Sequence, residues 1–291
     1  KINMIKKNKY AIISCVKEEE YVFEETILSV ISQTHRPVNW LIIDDNSNDK
    51  TLEIIRKYSL EYSWINYMVN DEIKLKEKGP RISSIINFYF DKIDFSEINF
   101  FSKLDGDIKL PCKFYEQIIT EFNKDNKLGI ASGSLIYNGI KEKNFFPDLT
   151  RGATKIYRVK CFQEIGKLQQ TTGWDTLDNI IAQKMGWKTK SFDIWFEHLK
   201  EEGKSQGYFN KFYNVGKYCG KIPYDPFYFT LKIIYRIFEW PIFLSSIITL
   251  FGYIHTRFIT KERPFPEEVT KYYRNKQRNK LLMSIKKIFK L

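Results

Sequence analysis

Phe101-Ser102-Lys103-Leu104-Asp105-Gly106-Asp107-Ile108-Lys109-Leu110-Pro111 joins an apolar run to a pair of carboxylates. Ile98, Phe100, Phe101 and Leu104 read as a buried strand that stops at Asp105, and Pro111 opens the next element. In an extended segment the side chains at i and i+2 point the same way, so Asp105 and Asp107 can share one hard cation. Gly106, lacking a Cβ, would let the backbone approach a ligand closely. Magnesium or manganese held by one or two carboxylates and completed by phosphate oxygens suits such a pair. An acidic turn uses the same letters, because Asp and Gly are both common turn residues. The rest of the chain has to decide between the two.

Upstream, Tyr10–Ser14 is a short apolar strand, and Glu18–Gln33 follows with Val22, Ile27, Val30 and Ile31 near helical spacing. A second strand, Trp40–Ile43, runs into Asp44-Asp45-Asn46-Ser47-Asn48-Asp49, and a helix begins near Asp49. Ile65–Val69 is a third strand, followed by a helix from about Arg81 to Phe90. Strands alternating with helices predict an α/β fold with a mixed, mostly parallel sheet. Ligands of such sheets bind beyond the carboxyl ends of the strands, where Ser14, Asp45 and Asp107 all fall. No dinucleotide glycine fingerprint follows the first strand and no G-x-x-x-x-G-K-[ST] occurs, which argues against a nicotinamide dehydrogenase or a P-loop ATPase.

Downstream, a helix is predicted from Pro111 to about Lys124, then a strand over Leu128–Tyr137, a polar loop over 138–152 and extended structure over Gly152–Val159. Thr172 or Asp175 can cap a helix carrying Leu177, Ile180, Ile181 and Met185 and ending at Gly186. Asp175 therefore reads either as a plain N-cap or as a functional acid.

The 291 residues carry a net charge of +12, and residues 221–291 hold fourteen lysines and arginines against five acidic residues. A basic end on a near-neutral body suggests an anionic partner surface. Cys15, Cys112, Cys161 and Cys219 are scattered without a C-x-x-C pair, so reduced thiols are expected rather than a zinc site or a disulfide framework. No secretory leader is visible: Lys6, Lys7 and Lys9 precede only a short apolar run.

The ordered set Ser14…Lys17-Glu18, Ser29…Gln33-Thr34, Ile42-Ile43-Asp44-Asp45-Asn46-Ser47-Asn48-Asp49-Lys50-Thr51, Asp105-Gly106-Asp107 and Trp174-Asp175 with Gly186 closely resembles family-2 glycosyltransferases of the GT-A fold over residues 9–220. The resemblance implies inverting transfer of a sugar from a nucleotide-diphosphate donor. It implies that Asp45 reads the base, usually uracil, and that Ser14 and Glu18 line the nucleotide pocket. Asp105 and Asp107 match the motif for a divalent metal (Mn or Mg) and the diphosphate, and Asp175 matches the general base. Lys17 stands where asparagine is common, and Trp174 replaces the usual glutamate, a W-D variant familiar in bacterial members. Arg81 is either a phosphate contact or a solvated residue at a helix start. His198 either completes the metal shell, as a downstream histidine does in many GT-A enzymes, or is structural.

From Pro223 the character changes: Phe227–Phe238 and Pro241–Ile254 are largely apolar, with Trp240 and tyrosines, and 272–291 interleaves basic residues with Leu281, Leu282, Ile285, Ile288 and Phe289. These read as helices lying in a membrane interface or, for the apolar run, as a lid packed on the catalytic part. The expected organisation is a GT-A catalytic domain over 1–222 and an apolar, basic helical extension over 223–291. The expected activity is sugar transfer to a glycan or glycolipid acceptor at an anionic membrane surface, peripherally on the cytoplasmic face. A non-catalytic nucleotide-sugar or membrane-binding module is the alternative, and a basic nucleic-acid-associated protein ranks behind it. No recognised nucleic-acid motif accompanies the charge, so nucleic acid is not an expected partner.

Overall fold

The structure, a computed structural model, describes residues 8–137, 139–142, 147–200, 207–222, 224–237, 243–260 and 265–289. The chain forms two compact units, residues 1–170 with 174–201 and residues 171–173 with 202–291.

In the first unit the elements run β1 Tyr10–Val16, α1 Phe23–Ile31, β2 Asn39–Asp44, α2 Thr51–Glu61, β3 Ile65–Val69, α3 Lys78–Phe90, β4 Phe100–Leu104 and β5 Ile108–Lys109. They continue with α4 Phe114–Lys124, β6 Leu128–Tyr137, β7 Ile140–Lys141, β8 Thr154–Arg158, α5 Val159–Glu164, α6 Trp174–Lys184 and β9 Lys188–His198. The sheet order is β3-β2-β1-β4-β8-β6-β9-β5, with β7 paired to β6. The β3-β2-β1-β4 half is parallel throughout, and β8 then joins β4 antiparallel. Sequential strands lie on one side of β1 and β4 on the other, so the strand order reverses beside β1, where a ligand crevice forms in open α/β sheets.

Successive strand residues feed opposite faces. Ile12, Ile42 and Phe100 join one core with Phe23 and Phe114, whereas Ile13, Ile43 and Phe101 join a second with Ile85, Phe162 and Trp174. A sheet covered on both faces explains why these strands are nearly continuous apolar runs.

Three helices depart from the sequence reading. α1 starts at Phe23 rather than Glu18, because Glu18 adopts a left-handed φ of 55° and residues 18–20 are tied to the loop after β2. α3 starts at Lys78, with Pro80 in its first turn, where no N–H donor is needed. In α6 Asp175 is the second residue, so it does not cap the helix, and Gly186 ends the segment at φ 89°.

The second unit contains α7 Tyr208–Lys221, α8 Pro226–Arg236, α9 Leu244–Ile254, a π-helical turn His255–Ile259 and α10 Glu267–Phe289. Asp225 caps α8, its Oδ1 accepting from the Phe227 and Tyr228 N–H groups at 3.1 and 3.3 Å, with Pro226 as the first helical residue. Arg278 of α10 donates to Asp225 Oδ2 at 2.7 Å, and the Asp225 N–H donates to Gln277 Oε1 at 2.7 Å. Arg278, 62% exposed, thereby ties α10 to the start of α8. Glu239, Trp240 and Pro241 lie outside the described residues, as do Pro223, the side chains from Met283 to Phe289, and the end at Lys290 and Leu291. Among the described residues no helix is long and apolar enough to cross a membrane.

Candidate active site

The loops after β1 and β2 are knitted together. The Glu18 N–H donates to Ser47 Oγ at 3.0 Å, the Glu19 N–H to Thr51 Oγ1 at 2.8 Å and the Glu20 N–H to Asp49 Oδ2 at 3.2 Å. The Asp45 N–H donates to the Val16 carbonyl at 2.8 Å. Much of the Asp44–Thr51 stretch thus shapes the loop, leaving Asp45 as the acid that meets other functional groups. Asp45 is buried; its Oδ1 accepts from Asn70 Nδ2 at 2.7 Å and from Arg81 at 2.5 Å. Arg81 therefore braces the Asp45 carboxylate from the first turn of α3 rather than standing as a solvated residue at the helix start. Its Nε is buried without a hydrogen-bond partner among the described residues.

The Asp105-Gly106-Asp107 turn hangs on Thr26 of α1. The Thr26 hydroxyl donates to the Gly106 carbonyl at 2.8 Å and accepts from the Ile108 N–H at 3.1 Å. A Cβ on Gly106 would lie 2.6 Å from Val16 Cγ1. The glycine is thus needed for close packing on β1, which replaces the expected ligand approach. Gly106→Ala should cost about 1–3 kcal/mol of stability in a denaturant titration, and an unchanged midpoint would contradict this packing.

Pairing of β5 with β9 sets Ile108 opposite His198, and the Leu199 N–H donates to the Asp107 carbonyl at 2.8 Å. Asp107 Oδ2 and His198 Nδ1 are consequently 3.7 Å apart, with the side chains only 15% and 10% exposed. Burial pushes the Asp107 carboxyl up; His198 opposes that rise and Asp105 adds to it. His198 Nδ1 lies 2.8 Å from the Lys200 carbonyl, to which its N–H donates. Histidines that bind metals are commonly oriented in this way by a backbone carbonyl.

Asp105 has a different partner. It is ion-paired with Lys103, which is itself buried and donates to the Gly152 carbonyl at 3.0 Å. Gly152 packs against Asp175: a Cβ there would lie 3.1 Å from Asp175 Oδ2. The fully buried Lys155 donates to the Asp175 carbonyl and to Asp178, whose Oδ2 also accepts from the Tyr157 hydroxyl at 2.5 Å. Burial pulls the Lys155 amine down and pushes the Asp178 carboxyl up, while their pairing opposes both shifts. Cys15 is in the electrostatic reach of Asp45, Lys103, Asp105 and Arg81, and its thiol is pushed up to about 12, first by burial. The Asp45 corner, the Asp105 turn and the approach to Asp175 are thus linked by a chain of contacts.

Two predicted pocket residues fall elsewhere or serve differently. Ser14 is fully buried and its Oγ accepts from Trp40 Nε1 at 3.0 Å, so it faces the core; Cys15 is the neighbouring position on the site side. Glu18 is exposed at the rim, with Oε1 accepting from Asn48 Nδ2 at 3.4 Å and its carbonyl accepting from Lys200. Among the described residues no three His, Cys, Asp or Glu side chains gather to hold a metal alone. Asp107 and His198 make a pair, and Asp105 sits on Lys103. Sequence reasoning missed Lys103, Lys155 and Asp178. The available signal was a lysine inside each of two apolar strands, a position that demands a partner.

A mixed sheet whose parallel half ends in these acidic loops is the GT-A glycosyltransferase fold. The Glycosyl transferase family 2 model matches residues 10–79. The "Putative glycosyltransferase EpsE" of Bacillus subtilis (strain 168) is 21% identical over 199 residues, covering 66% of this chain and 67% of that protein. Among solved structures, the mannosyltransferase PcManGT from Pyrobaculum calidifontis in complex with GDP-Man and Mn2+ superposes with a TM-score of 0.56 at 12% identity. That match covers 88% of this chain and 71% of PcManGT. S. aureus TarS 1-349 in complex with UDP-GlcNAc gives 0.51 at 15% identity, covering 86% and 71%. The chain is thus similar to family-2 glycosyltransferases and shares the fold of these solved glycosyltransferases.

Proposed function

We propose that this enzyme transfers a sugar from a uridine diphosphate donor, with inversion at the anomeric carbon, to a hydroxyl of a glycan or glycolipid. What supports this reading is the chain of contacts that runs from Asp45 past Cys15 to Asp105 and Lys103, and through Gly152 to Asp175 in the first turn of α6, with Asp107 two residues beyond Asp105. Asp45, fixed by Asn70 and Arg81, is suited to accept from a base N–H, and the buried Arg81 guanidinium supplies a donor beside it. Uracil offers an N–H next to a carbonyl.

Asp107, with His198 beside it, would hold a magnesium or manganese ion. Bound there, the ion would supply positive charge to offset that gathering on the departing diphosphate. Lys103 orients Asp105 and brings a fixed positive charge to the same spot. Asp175 takes the proton of the acceptor hydroxyl as the new C–O bond forms. A single displacement of this kind inverts the configuration. The basic second unit supports action at an anionic membrane surface, peripherally on the cytoplasmic face.

A thermal-shift screen of UDP- and GDP-sugars, with and without manganese, tests the donor. A UDP-sugar should raise Tm, and more so with manganese. A response confined to GDP-sugars would overturn the base assignment, and silence throughout would overturn the donor class. Arg81→Ala should weaken donor binding about tenfold or more, read from the same titration.

A further inference from the structure

The α7–α9 pair is packed inside out. Ser245, Ser246, Thr249, Gly252 and Thr256 form the buried side of α9 and the turn after it. Gly216 and Gly220, one helical turn apart on α7, meet them backbone to backbone: a Cβ on Gly216 would lie 2.1 Å from the Thr249 carbonyl oxygen, and one on Gly252 would lie 2.3 Å from the Tyr213 carbonyl oxygen. The large side chains point the other way. Phe243, Ile247, Leu250, Phe251, Ile254 and Phe258 recur at helical spacing and are all exposed, Ile247, Phe251 and Phe258 by 62–63%. A helix packed by the burial of apolar surface would show the reverse arrangement. Small residues at a close helix crossing with large apolar residues outside is the pattern of helices bathed in lipid.

The charge around this face indicates what meets it. Residues 207–260 carry Lys211, Lys217, Lys221, Lys232, Arg236 and Arg257 against two acids. Of these, Asp225 is buried against Arg278, and Glu239 lies outside the described residues. An apolar face on a segment whose charges are mostly cationic matches an anionic lipid monolayer. α9 is too short to span a bilayer.

We propose that the outward face of α9, continued by Phe258, is the membrane-docking surface of this chain, seated among acyl chains of a leaflet rich in anionic lipid. This deepens the membrane part of the proposed function by naming the face that binds, and it stands or falls separately from sugar transfer.

The test is co-sedimentation of the full chain with vesicles of phosphatidylglycerol and phosphatidylethanolamine or of phosphatidylcholine alone. The variant Ile247→Ser/Phe251→Ser/Phe258→Ser leaves the charge unchanged. Wild type should bind the anionic vesicles more tightly than the neutral ones, and the triple variant should bind about tenfold more weakly or worse. Unaltered circular dichroism and an unaltered donor-induced Tm shift verify that the variant is folded. Wild type that stays in the supernatant, or a triple variant that binds as wild type does, would overturn the proposal. So would a wild-type dimer in sedimentation velocity that the triple substitution dissociates without any vesicle binding, since a second copy would then be the occupant. Failure of every nucleotide sugar to shift Tm would sink the donor reading while leaving the vesicle result intact.

Discussion

Asp175→Asn should lower turnover by about 10²–10⁴-fold, the usual contribution of a positioned general base. The amide keeps the shape of the side chain but has no lone pair basic enough to take a proton from an alcohol. Asp175 sits in the first turn of α6 with its carbonyl held by Lys155 and its carboxylate against Gly152, so the substitution should leave the helix where it is. Donor affinity, measured by the Tm shift with UDP-sugar, should therefore be unchanged while product formation collapses. Full turnover in the asparagine variant would move the base elsewhere. Loss of donor binding together with turnover would mean that Asp175 holds the donor instead.

The second large effect is on stability. Lys155→Met removes the countercharge of Asp178, and neither side chain has any exposure to water. Breaking a buried ion pair from one side costs about 3–5 kcal/mol, because the remaining charge is left without compensation. The double variant Lys155→Met/Asp178→Leu should regain much of that loss, since two apolar side chains of similar volume need no partner. The Tyr157 hydroxyl, which donates to Asp178, limits the recovery by losing its acceptor. Urea titration of wild type, single and double variants reads both effects. A single variant within about 1 kcal/mol of wild type would show that the pair is not held in a dry interior.

How far the sequence could be read depended on how local the cause was. The strands Tyr10–Val16, Asn39–Asp44 and Phe100–Leu104 are apolar runs that announce themselves, and their order determined the α/β class. Helix starts were less legible: α1 begins late because Glu18, Glu19 and Glu20 bond to residues some thirty positions away, which no local preference encodes. The carboxylates were visible as residue types, but their partners were not. Arg81 reaches Asp45 across α3, and Lys103 turns to Asp105 from within the same strand. Ser14 shows the limit of inference from a strand end, since its neighbour Cys15, one pleat along, takes the side facing the acids. In the second unit the apolar composition was plain. The direction in which it faced was settled by Gly216 and Gly252, whose role emerges only when the two helices touch.

Thr26 carries a consequence of its own. One hydroxyl on α1 bridges both sides of the Asp-Gly-Asp corner, and it comes from a point eighty residues earlier in the chain. The corner is therefore not an autonomous module. Its eleven letters, grafted onto another sheet, would carry the acids without the strut that aims them, and any redesign of this corner has to treat helix and turn as a single part.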